Sequence, residues 1–167
     1  ALLRLRPTES AVVPELLKCL DNKSPDLRNR ASYVLGRIGE PSKAAVPRII
    51  ALTKQADSKE TQAIHIQTLA NINYHSVAPL LNEFGQRTPG ELKEDDWVID
   101  CLRRIGPSAV GKLRGGLRNK NPMIRLGSIL TLRQIGPLAK DAAPQLRRLI
   151  TNRDPQIRGE TLLALHA

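Results

Sequence analysis

The chain repeats itself, and that limits its fold more than any other feature. The heptapeptide NKSPDLR at 22–28 returns as NKNPMIR at 119–125 and as NRDPQIR at 152–158. A second marker follows pairs of small apolar residues: Pro14, Pro47, Pro79, Gly111 and Pro144, at intervals of 33, 32, 32 and 33. A third is the series Leu5, Ile38, Ile72, Ile105 and Ile135, mostly followed by a Gly or Pro break. Three markers with one period of about 33 residues describe a stack of like units rather than one globular core.

Each marker has a physical reason. Proline at the first helical turn costs nothing, because its missing N–H would have no partner inside the helix. Pro14 therefore opens a helix with an apolar side at Leu16, Leu17, Cys19 and Leu20. Asn22 takes the left-handed conformation that ends it. Ser24 then caps a second helix that begins at Pro25. Leu27, Ala31, Val34, Leu35 and Ile38 form its apolar stripe, and Gly39 and Pro41 stop it. Neither short helix can bury its stripe alone, so the pairs must stack. Five repeats result, at about 10–40, 43–74, 76–106, 108–137 and 140–167. The segment ALLRLR at 1–6 matches the tail of a preceding second helix. The last helix is due to end near residue 168, so the stack is expected to continue in a longer protein.

The period, the helix pair and the Pro-x-[Leu/Ile]-Arg start of the second helix resemble HEAT repeats, most closely the short bacterial class labelled with phycobilisome lyases. The resemblance covers nearly the whole chain and is strongest in repeats one, four and five. Repeat two has Gln62 in place of Arg. Repeat three has extra residues at 87–96 and Asp95 in the Arg slot. The resemblance implies an all-α fold, a right-handed α-α superhelix of about five helix pairs with the second helices on the concave side. It implies scaffolding rather than catalysis, and no residue here would attach a bilin. In the family the Arg slot, here Arg28, Arg125 and Arg158, forms a structural ladder. A related family, the HEAT-like alkylpurine DNA glycosylases, uses Trp and Asp, but Trp97 and Asp100 alone do not carry that activity over.

Motifs for chemistry are sparse. Cys19 and Cys101 occupy stripe positions and are expected in the core. His65, His75 and His166 have no ligand spacing, and His65 fills the slot of Ala31. Glu91, Glu94, Asp95, Asp96 and Asp100 crowd a helix start, where the backbone dipole favours them. They are expected to face away from the basic residues. The run GKLRGG at 111–116 has no preceding strand and no Lys-Ser/Thr, so it is not a phosphate loop. No cofactor or metal site is expected.

Charge is the one asymmetric property. Residues 1–102 hold 13 basic and 13 acidic side chains, whereas 103–167 hold 13 basic and three acidic. Arg103 and Arg133 share a slot in adjacent second helices, and Arg114 and Arg147 share one in adjacent first helices. Lys112, Arg118 and Arg148 lie near them. These seven are the candidate anion- or partner-binding residues. The expected function is a non-enzymatic scaffold for an acidic protein or peptide. The alternatives are sequence-independent nucleic-acid or polyanion binding by 103–167, and a regulatory or spacer domain of a larger enzyme. No apolar run approaches a membrane span of roughly 18 residues. Unpaired cysteines lean towards a reducing, cytoplasmic setting.

Overall fold

The computed structural model describes residues 11–167, and the chain divides into two compact units, one ending at Ser76 and the other running Val77–Ala167. Every regular element among the described residues is helical. The proposed helix tail at 1–6 lies outside the described residues.

The first unit holds α1 (Val13–Cys19), α2 (Pro25–Ile38), a 3-10 segment (Glu40–Ala45), α3 (Val46–Lys54) and α4 (Lys59–Ile72). Helix α1 packs on α2, α3 on α4, and α2 on α4. Leu35, Ile49, Leu69 and Ile72 are completely buried at these contacts, each side chain contributing about 1.5–3 kcal/mol. Leu27 and Val34 of the expected stripe remain more than a third exposed. Helix α5 (Tyr74–Phe84) begins in this unit and continues into the second.

The second unit continues with α6 (Trp97–Ile105), α7 (Pro107–Gly116), α8 (Pro122–Ile135), a 3-10 segment (Gly136–Ala142), α9 (Ala143–Arg147) and α10 (Pro155–His166). The second helices α6, α8 and α10 form one layer, with α8 in the middle. Helix α7 packs on α8, and α9 packs on α10. Phe84, Ile99, Leu102, Leu113 and Ile129 are fully buried in the core.

The recurring heptapeptide is a self-contained turn. Its Asn side chain accepts the N–H two residues on: Asn22 from Ser24, Asn119 from Asn121, Asn152 from Asp154, at 2.9–3.0 Å. That third residue caps the helix, Ser24 for Leu27, Asn121 for Met123 and Asp154 for Gln156. Proline follows at the first turn. The expectation that Asn22 ends α1 in a left-handed conformation is wrong, since Asn73 is the sole described non-glycine residue with positive φ. The side-chain oxygen of Asn22 is already committed to the turn, which needs no left-handed residue there.

Positive φ belongs instead to the break after each second helix. Gly39, Asn73, Gly106 and Gly136 have φ of 74°, 63°, 68° and 67°. Three residues after the break comes a small buried side chain: Ser42, Ser76, Ala109 or Ala139. Beyond the break the chain has two forms. In repeats two and five it runs as a 3-10 segment up to Val46-Pro47 or Ala143-Pro144. In repeats three and four it is already α-helical, so Pro79 and Gly111 fall inside α5 and α7 rather than starting them. The two conformations differ little in backbone angles, so the same register accommodates both.

Candidate partner-binding surfaces

The repeated arginines at the second-helix starts act on backbone. Arg28 Nη1 donates to the carbonyls of Asn22 (2.9 Å) and Lys23 (3.0 Å). Arg125 Nη1 reaches those of Asn119 and Lys120 at 2.8 and 3.0 Å. Arg158 Nη1 reaches those of Asn152 and Arg153 at 2.7 and 3.1 Å. Each guanidinium therefore closes its own turn onto its own helix. A charged donor serves two carbonyls that the turn leaves free, a role the point charge of lysine fills less well.

The other second-helix cations of the C-terminal unit, Arg103, Arg104 and Arg133, pair with carboxylates within it. Arg133, with 15% of its side chain exposed, lies between Glu94 (2.6 Å) and Glu160 (2.8 Å). Asp100 accepts from Arg103 at 2.6 Å and Arg104 at 3.0 Å. The expected Arg103–Arg133 row is thus not an open cationic face. The expectation that the acidic group turns away from the basic residues fails for the same reason. The extra residues at 87–96 form a loop, whose Glu94 carbonyl accepts from Gln134 Nε2 at 2.6 Å and whose carboxylate meets Arg133. Asp96 caps α6 at Val98 N and accepts from Arg87 at 3.1 Å. Glu91 accepts Thr88 N at 2.7 Å, and that hydrogen bond lowers its pKa.

The first-helix side differs. Segments 107–121 and 136–153 carry eight basic residues and one acidic residue, Asp141. Arg118, Lys120, Lys140, Arg147, Arg148 and Arg153 are exposed, and no described carboxylate pairs with any of them. Lys112 and Arg114 are half-buried on α7. With the Gln145 amide oriented to donate to Ala142 O, its oxygen accepts from Arg114 Nη2 at 2.9 Å, which links α7 to α9. The exposed glycines Gly111 and Gly115 stand one turn apart on α7, and a Cβ on either would meet nothing within 4 Å.

The first unit exposes two aromatic side chains that the sequence pattern did not single out. Tyr33 and Tyr74, the two tyrosines of the chain, are 57% and 50% exposed. Tyr33 Oη accepts from Arg37 Nη1 at 3.4 Å. Just past the end of α2, Glu40 meets His75 Nε2 at 3.0 Å, and the Tyr74 ring stands edge-on to His75 with centroids 6.1 Å apart. These residues lie off the apolar stripes, and two large aromatic rings at outward positions of a chain with four aromatics were the available signal.

Residues 13–95 match the family model for HEAT repeats. That stretch of the chain belongs to the HEAT repeats. The match spans repeats one, two and part of three, two of which depart from the Arg pattern that carried the resemblance. Solved structures align over most of the chain. An engineered protein shares 18% identity, over 92% of this chain and 78% of that one, with a TM-score of 0.40. A second engineered protein shares 19% over 92% of this chain and 47% of its own, with a TM-score of 0.44. A designed armadillo repeat protein shares 15% over 93% and 81%, with a TM-score of 0.40. Among curated proteins none matches the sequence.

Of the remaining reactive groups, His65 and Cys101 pack as core. His65 is 1% exposed, and its Nδ1 lies 2.9 Å from Ser32 Oγ. Burial, with the Arg28 charge second, lowers its pKa to about 4, so the ring is neutral at pH 7. In the second unit Cys101 is fully buried, and burial pushes its thiol far up. Cys19, expected in the core, is only half-buried. Among the described residues no three His, Cys, Asp or Glu side chains are grouped to hold a metal ion. No described helix is long and apolar enough to cross a membrane.

Proposed function

We propose that the chain is a non-enzymatic interaction scaffold that docks a protein or peptide over the exposed tyrosines of its first unit. The HEAT-repeat fold is typically a protein-interaction scaffold, and the observation that carries this reading is the pair of exposed tyrosines, Tyr33 beside Arg37 and Tyr74 beside His75. Tyrosine and arginine dominate binding energy where they can be buried by a partner, because each offers a broad apolar face with a polar tip. Arg37 donates to Tyr33 Oη and pairs with no described carboxylate. The fitting partner is an acidic peptide with an apolar or aromatic anchor, the anchor against the Tyr33 ring and a carboxylate on Arg37, with Tyr74 as a second contact.

Panning a random peptide library against the folded chain tests this. Enriched peptides should carry Asp or Glu beside an apolar residue. They should lose at least about tenfold in affinity for a Tyr33→Ala, Tyr74→Ala double variant, the scale of a truncated interface hot spot. Both rings are half-exposed, so the circular dichroism of the variant should be unchanged. Peptides that bind parent and variant equally would refute the site.

A further inference from the structure

We infer that the first-helix side of the second unit, formed by α7, α9 and the turns at 117–121 and 148–153, is a docking surface for the phosphate backbone of double-stranded nucleic acid. This inference is independent of the two exposed tyrosines, which lie in the other unit.

The argument starts from how the same unit treats its cations on its two sides. On the second-helix side Arg103, Arg104 and Arg133 are each matched with a carboxylate at 2.6–3.0 Å. On the first-helix side eight basic residues share 33 positions with Asp141 alone, and six exposed ones meet no described carboxylate. Crowded like charges repel and weaken the fold that carries them, so the arrangement costs stability and offers a field to an anionic partner. These cations also sit on a rigid framework, since Arg118, Arg147 and Arg148 extend from helices or their ends and Arg114 joins α7 to α9 through Gln145.

The choice among anions follows from what surrounds the charges. All four aromatic residues, Tyr33, Tyr74, Phe84 and Trp97, lie outside 107–121 and 136–153. Single strands bind by stacking bases on aromatic rings, so this surface lacks the platform for them. A duplex presents phosphates without requiring stacking, and each neutralised phosphate releases counterions. Gly111 and Gly115 add a physical provision for close approach. In α7 each sits where alanine would be more stable by about 1 kcal/mol, with no neighbour that a Cβ would strike. Between Lys112, Arg114 and Arg118 they leave bare helix backbone against which a phosphate chain can lie. Contacts of this kind hold a duplex without reading its sequence.

The test is fluorescence anisotropy of a labelled duplex of about 20 base pairs with the full chain, across a salt series. Neutralising about four to six phosphates predicts a slope of log K against log salt near −4 to −5. Affinity should be nearly the same for two unrelated sequences. Two charge reversals with the same net change separate local from global attraction. Arg118→Glu with Arg147→Glu should lose at least tenfold. Arg103→Glu with Arg104→Glu, on the already paired side, should lose less than about threefold. Trp97 fluorescence and circular dichroism establish that each variant is folded. Equal losses in the two variants would show undirected attraction to net charge and overturn the surface. No binding at about 50 mM salt would overturn it as well. Tight binding of a polyglutamate chain without binding of the duplex would replace nucleic acid by acidic protein as the occupant.

Discussion

Replacing Gly127 by alanine should destabilise the second unit, whereas the same change at Gly111 should stabilise it. Gly127 sits in the middle of α8, directly under the Phe84 ring. A Cβ placed there would stand 2.6 Å from Phe84 Cε2 and closer still to Cγ and Cδ2. Carbon atoms pack best at about 3.5–4.0 Å, so the overlap is about 1 Å across three ring atoms. Phe84 is completely buried and has no free volume to move into. Overpacking of this kind costs about 1–3 kcal/mol. The better helix propensity of alanine returns about 1 kcal/mol of it, so the net loss is up to about 2 kcal/mol. At Gly111 nothing lies within 4 Å, so only the propensity gain of up to about 1 kcal/mol remains. The two variants should therefore differ by the overpacking cost itself, about 1–3 kcal/mol. Trp97, the single tryptophan, begins α6 in the same unit and reports its unfolding. In urea the two midpoints should separate by about 1 M, given a slope near 2 kcal/mol/M. Phe84→Leu combined with Gly127→Ala should recover part of the loss, because the smaller side chain yields space at the same point. A Gly127→Ala midpoint at or above the parent, with unchanged slope, would refute the packing argument.

Three further outcomes follow from local geometry. Asn73 holds φ 63° and ψ −130°, a conformation that Gly39, Gly106 and Gly136 adopt without a Cβ. Asn73→Gly should raise stability by about 1 kcal/mol in thermal melts monitored by circular dichroism. Ser42 Oγ is buried with no hydrogen-bond partner among the described residues, whereas Ser76 Oγ at the equivalent position donates to Leu69 O at 2.7 Å. Ser42→Ala should be neutral or stabilising by up to about 1 kcal/mol, and Ser76→Ala should cost about 1 kcal/mol, both read as urea midpoints. The pKa of His65 falls from 6.5 to about 4 on folding. Between those values the unfolded chain binds the proton and the folded chain does not. The contribution of His65 to stability is therefore fully present above about pH 6.5 and is lost as pH falls towards 4. His65→Gln should flatten the stability profile in that window, and an unchanged slope would show that the ring titrates freely in the fold.

The legible part of this protein is its local part. Each heptapeptide turn closes through bonds spanning two to six residues, from Asn22 to Ser24 and from Arg28 back to Asn22. The breaks at Gly39, Gly106 and Gly136 are legible because glycine alone adopts positive φ without strain. Helix pairs at a fixed period therefore follow from sequence order, and the resemblance to HEAT repeats followed from those pairs. The role of Asn22 was misread because its residue type suits both a left-handed cap and a side-chain turn. Charge could be counted along the chain, but its placement required the tertiary structure. Arg133 meets Glu94 and Glu160, which are 39 and 27 positions away, so no repeat register shows that the Arg103–Arg133 row is already neutralised. The glycines show the same division. Gly111 and Gly127 are both mid-helix glycines in sequence, but only packing sets Phe84 over one and open space over the other. Local hydrogen bonds depend on residue order over a single turn, whereas ion pairs and close contacts depend on which helices are brought together.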